Sequence, residues 1–337
     1  MKTFYERITT AFLNEFDSYW IEMLETINCK QIQLIQGNRL RPQICLWGYL
    51  ATLSFNEKQS LELIASVSVS IEMIHKASIM LDDWIDEDCE RHGNPAFHTE
   101  YSPQNTVITA LTIIGFSLKR LKQIIPNTSL NLPHYYFLCL DTLIDTIYSM
   151  ADGALKELNL NVANIYNIES IQEITQLETS AIIGNSMLIG YYTGLAEKVP
   201  NSIIVDKFKL IGDMCGYIFQ TMNDLEIFSN PQKLYAHKGN FNSDITKKRK
   251  NIAIATLYDV ASSNDKKIIA HKQENLLYFM KKYNISEILK YQLLDIYNLL
   301  KKNVFELEEI GISKGWINNF LCFLDYIKNF GEDRLKQ

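Results

Sequence analysis

The chain has 337 residues, 47% of them hydrophobic and 21% charged, with a net charge of −6. That balance supports a sizeable globular core and excludes a broadly cationic nucleic-acid binder or a polybasic membrane anchor. Only 14 glycines and 7 prolines punctuate it, which favours long helices over hairpins.

The first segment, MKTFYERITTAFLNEF, carries Glu6 and Arg7 and lacks the unbroken apolar core of a signal peptide. Further on, Leu61, Ile64, Ala65, Ser68, Ile71, Glu72 and His75 recur at steps of three and four, predicting a helix toward Leu81. The same periodicity predicts helices over 105–125, 136–160, 167–195, 204–228, 287–309 and 315–329. Prolines 95, 103, 126, 133, 200 and 231 fall between these segments, and Pro42 sits where a helix can begin. The Asn-, Ser- and Lys-rich stretch 229–250 reads as a long loop, of the kind that usually carries function. No repeat or low-complexity linker interrupts the chain, so one all-α domain over 1–337 is expected. No run of about 18 apolar residues is expected to cross a membrane. Six scattered cysteines without a CxxC pair read as reduced, buried thiols of a cytoplasmic protein.

The most informative segment is IHKASIMLDDWIDEDCERHGNPAFH, residues 74–98. An apolar helix face formed by Ile74, Ala77, Ser78 and Leu81 runs straight into Asp82, Asp83 and Asp86. At about 100° per residue, Asp82 and Asp86 stack on one face, where they repel unless a cation lies between them. Hard oxygen ligands at that spacing suit Mg²⁺, which keeps waters and accepts phosphate oxygens. Arg91 follows, a guanidinium able to fork onto a phosphate. A solvated acidic helix end is the plain alternative, and the apolar approach and Arg91 weigh against it. A second pair, Asn223 and Asp224 in IFQTMNDLEIF, ends another apolar helix and is a candidate opposite wall. Lys247, Lys248, Arg249 and Lys250 then supply cations that either are solvated or close over a diphosphate.

Taken together and in order, these regions resemble the trans-isoprenyl (polyprenyl) diphosphate synthase family over about residues 35–255. QGNRLRP (36–42) is similar to its basic motif, and IEMIHKASIMLDDWIDEDCERHG (71–93) to its first aspartate-rich region. LETSA (177–181) stands at its Lys-Thr pair, FQTMNDLEIF (219–228) at its second aspartate-rich region, and SDITKKRKN (243–251) at the stretch after it. The resemblance implies an isoprenoid-synthase-type helical bundle around a deep central cavity, commonly homodimeric. It also implies three Mg²⁺ ions with a bound allylic diphosphate, held by Asp82, Asp86, Asn223 and Asp224. Asp83 would support the first motif. Arg91, Thr179, Gln220, Lys248 and Arg249 would contact the allylic prenyl diphosphate, while Arg41, His75 and His92 fall where isopentenyl diphosphate is bound.

Departures from the pattern matter equally. Asn38 replaces the basic-motif lysine, His92 an arginine, Glu178 the lysine of Lys-Thr, Asn223 the first aspartate of the second motif and Ile227 its last. These put ordinary chain elongation in question. The expected function is Mg²⁺-dependent condensation of an allylic diphosphate with isopentenyl diphosphate to a longer all-trans polyprenyl diphosphate. The alternatives are a class I terpene synthase, or prenyl transfer to a peptide or other acceptor. For the latter, DDWIDED and GNFNSDITKK are similar to bacterial prenyltransferases that modify a tryptophan on a peptide pheromone. A non-enzymatic subunit of a heteromeric synthase is a further option that the intact DDWID opposes. Small residues at Ala77 and Ser78 imply a deep product cavity, unless Tyr135, Tyr136 or Phe137 refill it.

Overall fold

A computed structural model describes residues 4–27, 37–53, 61–91, 93–124, 134–160, 166–195, 198–229, 250–271 and 276–336. The helices, in chain order, are α1 (Phe4–Thr26), α2 (Leu40–Leu50), α3 (Leu61–Ile85), α4 (Phe97–Tyr101), α5 (Pro103–Ile124), α6 (His134–Leu158) and α7 (Ile168–Thr175). One turn of π-helix (Gln176–Ser180) joins α7 to α8 (Ala181–Gly194), and α9 (Ser202–Ser229) follows. The C-terminal part is α10 (Ile252–Val260), α11 (Ser263–His271), α12 (Leu276–Lys282), α13 (Ile285–Glu306) and α14 (Lys314–Lys336). Among the described residues the strands are β1 (Glu90–Arg91) and β2 (Asn94–Pro95), an antiparallel pair with Glu90 opposite Pro95. The expected all-α class is observed. Pro103 opens α5, where its missing N–H costs nothing.

The sequence of each helix explains its place. In α1, Phe12, Phe16, Trp20, Met23 and Leu24 recur at helical spacing and are buried as one stripe. In α13 the stripe is Ile285, Leu289, Leu293, Tyr297, Leu300 and Val304. By contrast α8 is apolar all round, and nearly all of Ile182–Thr193 is buried. A helix without a polar face belongs at a centre, and α8 packs against α2, α3, α6 and α9. It crosses α2 at backbone distance. A side-chain carbon on Gly190 would sit 1.8 Å from the Cys45 carbonyl oxygen, and one on Gly48 1.9 Å from that of Met187. The far end of α2 is closed by α14, where the Trp316 indole N–H donates to the Trp47 carbonyl at 2.9 Å and Trp316 stacks on Phe320.

Two apolar clusters result. The larger joins α1–α3, α5, α6, α8, most of α9, α13 and α14. The smaller gathers Tyr166, Ile171, Leu225, Ile252, Leu257, Phe279, Ile285 and Leu289 around α10. Helix α9 contributes to both, so it couples the second acidic region to α10.

Several expectations need correction. Helix α3 is long and apolar enough to span a bilayer, contrary to the reading that no segment qualifies; 72% of that apolar window is buried inside the fold, so protein replaces lipid around it. Cys89 and Cys322 are exposed, although Cys45 and Cys139 are buried as expected. Phe137 is half exposed and fills no cavity; the side chains of Tyr135 and Tyr136 lie outside the described residues. Apolar residues of 287–329 divide between the core, such as Leu289, Leu300 and Phe320, and the surface, such as Tyr291, Phe305 and Tyr326; Ile108, Leu111, Ile144, Tyr148 and Leu155 are exposed on α5 and α6.

Candidate active site on one face of α3

The acidic wall is built at the C-terminal end of α3. Asp82 is exposed (56% of its side chain) and Asp86 half-buried. Asp83 points the other way and is 1% exposed. A left-handed Glu87 (φ 53°) turns the chain back, and the β1–β2 hairpin lays Arg91 over Asp83. Arg91 Nε lies 2.8 Å from each Asp83 oxygen, and its Nη2 donates to Oδ1 at 2.5 Å. The same Nη2 is 3.9 Å from Asp82 Oδ2. Burial works to lower the Arg91 guanidinium, but the Asp83 carboxylate more than offsets it and leaves it raised and charged. Asp83 therefore holds the cation beside the face that carries Asp82 and Asp86.

Seven residues earlier, two turns and about 10 Å along the same face of α3, stands His75. Around it are Arg39, Arg41, Lys76 and Arg91, all close enough to act on its charge; burial first, then these cations, hold His75 well below the usual imidazole range. It is neutral and offers one N–H. Arg39, left-handed at φ 54°, donates to Glu72 Oε1 at 3.1 Å and lies over the rings of Trp20 and Phe16 of α1. The Arg41 guanidinium lies over Phe219 of α9 at 5.6 Å, and its buried Nε has no hydrogen-bond partner. Burial pulls Arg41 down to about 10. Phe219 also lines an apolar pocket with Leu40, Ile44, Met187, Phe320 and Leu324. That pocket lies between α2, α8, α9, α13 and α14, and not over Ala77, which is fully buried, or Ser78, whose hydroxyl donates to the His75 carbonyl.

Opposite, the second wall is differently employed. Asp224 is 5% exposed; its Oδ2 accepts the Ile252 N–H at 2.6 Å, and its Oδ1 accepts from Gln220 Nε2 at 2.7 Å. Thr179 Oγ1 donates to Gln220 Oε1 at 3.2 Å, so Thr179, Gln220 and Asp224 form one relay. Asn251 caps α10 by accepting the Ile254 N–H. Ile227 is buried, and Asn223 is half-buried.

Thr179 belongs to the π turn. A widened turn is a common mark of a functional site, and here two glycines admit it. A side-chain carbon on Gly153 would come within 2.6 Å of Glu178 Cγ, and one on Gly216 within 2.4 Å of Ser180 Cα. Glu178 pairs with Lys250 Nζ, which also donates to Glu157 Oε2 at 2.7 Å. Burial opposes the Lys250 charge, yet Glu157, Glu178 and Asp82 hold its ammonium well above its usual value. A cation thus remains beside Glu178, where the sequence pattern shows a charge reversal.

The residues fit a divalent ion unequally. At the first wall, two accessible carboxylates on one face suit an ion that takes its remaining ligands from water and phosphate. No group of three or more His, Cys, Asp or Glu ligands is preassembled among the described residues. At the second wall both Asp224 oxygens already accept hydrogen bonds, which fits a metal less well. His92, Lys247, Lys248 and Arg249 lie outside the described residues. Sequence reasoning missed Lys76, whose one signal was its place a turn beyond Glu72 on an apolar helix. Lys250 was read as one of a cationic run, and its partners Glu157 and Glu178, far off in sequence, left no signal there.

An acidic pair and a group of cations thus lie along α3 of an all-α bundle. Residues 23–290 match the polyprenyl synthetase family, and the chain belongs to that family. It is similar to a geranylgeranyl diphosphate synthase of Methanosarcina mazei, 21% identical over 59% of this chain and 57% of that one. A short chain isoprenyl diphosphate synthase of Methanocaldococcus jannaschii is 22% identical over 71% of this chain and 67% of its own. The first match thus spans little more than half of that relative's length. Among solved structures, a T. brucei farnesyl diphosphate synthase complexed with bisphosphonate shares the fold with a TM-score of 0.78 at 14% identity, over 94% of this chain and 98% of that one.

Proposed function

We propose that the protein is a Mg²⁺-dependent prenyltransferase that ionises an allylic prenyl diphosphate and condenses it with isopentenyl diphosphate into a longer all-trans polyprenyl diphosphate. The observation that carries this reading is the pair of stations on one face of α3, acidic at Asp82–Asp86 and cationic around His75, about 10 Å apart. A magnesium ion held by Asp82 and Asp86 would neutralise the leaving diphosphate. The chain's own residues do the rest. Arg91, oriented by Asp83, is placed to meet diphosphate oxygens at the acidic end. Arg41 and His75 offer donors at the other end to the diphosphate of the acceptor. Breaking the C1–O bond sends its electron pair to the diphosphate and leaves an allylic cation, which the isopentenyl double bond captures; loss of a proton from the adduct completes the chain. Apolar surroundings keep water from that cation.

The cationic station also favours elongation over cyclisation, since a cyclase needs no second diphosphate. The test is incubation with Mg²⁺ and geranyl, farnesyl or geranylgeranyl diphosphate, with and without isopentenyl diphosphate, followed by mass analysis of aqueous and organic products. Longer diphosphates formed only with isopentenyl diphosphate are expected. Hydrocarbons or alcohols formed equally without it would overturn the reading in favour of a terpene synthase, and bare diphosphate release would redirect it to another acceptor.

A further inference from the structure

A second cleft, of about 620 Å³, opens beside the π turn and is walled by one face each of α7, α9, α10 and α13. The first and last residues of the turn, Gln176 and Ser180, line it, while Glu178 and Thr179 do not. Met214 and Tyr217 of α9 and Ile288 and Ile296 of α13 give the cleft an apolar surface. Carboxylates reach it from three helices, at Asp213, Asp259 and Asp295, and among the described residues no lysine or arginine lines it.

Asp259 and Asp295 are exposed, and Lys266 donates to the Asp259 carbonyl at 3.2 Å and not to its carboxylate. Asp213 is half-buried; its Oδ2 accepts one long hydrogen bond, 3.4 Å, from Gln176 Nε2. Burial pushes the Asp213 carboxyl up, against that bond and the pull of Lys209. Thr175 is an independent mark of a ligand. It lines the cleft, is 1% exposed, and its Oγ1 has no hydrogen-bond partner. Helical threonines commonly return the hydroxyl to the carbonyl four residues back, as Thr146 and Thr221 do in this chain. Thr175 does not, and a buried hydroxyl left alone is rare.

The chemistry of the lining narrows the ligand. An anion would be repelled by three carboxylates. A bare metal ion finds no group of three or more His, Cys, Asp or Glu ligands among the described residues. A wholly apolar molecule would cover Asp213 and leave Thr175 unpaired, which is unfavourable. A cation with an apolar body meets every one of these demands.

We propose that this cleft is a second ligand site, which takes a small molecule carrying a protonated amine on an apolar body. The ammonium donates to Asp213 and to Thr175 Oγ1, Asp259 and Asp295 attract it from the rim, and the body lies against Met214, Tyr217 and Ile296. The site is distinct from the diphosphate-facing walls and opposite to them in the charge it selects. It does not depend on which acceptor the enzyme prenylates.

Calorimetric titration of the full chain near neutral pH provides the test, with phenethylamine as the probe and phenethyl alcohol and 3-phenylpropionate as its neutral and anionic counterparts. The amine is expected to bind about fivefold more tightly than the alcohol, the scale of a partly exposed charge pair, and the acid not at all. Asp213→Asn with Asp295→Asn should bring the amine down to the affinity of the alcohol and leave the alcohol unmoved. Thr175→Val should weaken the amine about two- to fivefold while the melting temperature holds or rises, because an unpaired buried hydroxyl has been removed. A purely structural role for Thr175 would lower the melting temperature instead. Methyl resonances of Met214, Ile288 and Ile296 should shift on titration. Equal affinity for amine and alcohol would overturn the proposal. So would shifts gathered at Met187 and Met222, which line the other, apolar pocket. Both measurements read binding and not turnover, so their outcome stands apart from whether longer diphosphates are made.

Discussion

The two walls that face the site are made of the same kinds of residue and put to different uses. On α3 the carboxylate of Asp82 is exposed and that of Asp86 half-buried, while the neighbouring Asp83 is spent on fixing Arg91. On α9 Asp224 is spent on starting α10 and on Gln220, and Ile227, one turn on, is buried. One wall keeps an exposed carboxylate and the other is a joint between two apolar clusters. The difference teaches that an acidic motif is not a unit. Each carboxylate answers to what lies against it, and a single N–H from another helix can turn a metal ligand into a cap.

Three variants would break or sharpen this comparison. The largest effect is expected from Asp82→Ala with Asp86→Ala. Loss of the open pair should cut turnover of allylic diphosphate by about 1,000-fold or more, since charge stabilisation of the leaving group is the main term. The melting temperature should hardly move, because neither side chain is buried. Retained turnover would remove the metal from the first wall. Next comes Asp83→Asn, which strands Arg91 in a nearly buried pocket. Denaturant unfolding should register a loss of about 3–5 kcal/mol, the cost of breaking a buried ion pair. A variant as stable as the parent would show that Asp83 does not brace Arg91. The smallest is Asp224→Ala. Removing a charged cap from the Ile252 N–H should cost about 1–3 kcal/mol, read in the same unfolding experiment. If stability were unchanged and the Mg²⁺ requirement rose steeply instead, Asp224 would be a ligand before it is a cap, and the two walls would be alike after all.

Much of the fold was legible in advance, for particular reasons. The stripe Leu289–Leu293–Leu300–Val304 states a helical period in apolar residues, and the helix over 287–309 was read from it, whereas the stripe of α1 was not read. The prolines mark where helices stop. The stacking of Asp82 on Asp86 also follows from spacing alone, since it is a property of one helix. Less legible were features made by two segments meeting. The π turn at Gln176–Ser180 is allowed by Gly153 and Gly216 on other helices, and nothing in QLETS itself announces it.

By itself the sequence determined the helical class, the order of the motifs, and which acidic pair on α3 could hold a cation, because each is written in local periodicity. Only the tertiary structure decided where the charges stand. Glu178 reads as a loss of positive charge, yet Lys250 meets it across 72 residues of chain. An electrostatic field depends on distance in space and not on separation along the backbone. A site can therefore keep its charge while its motif loses it.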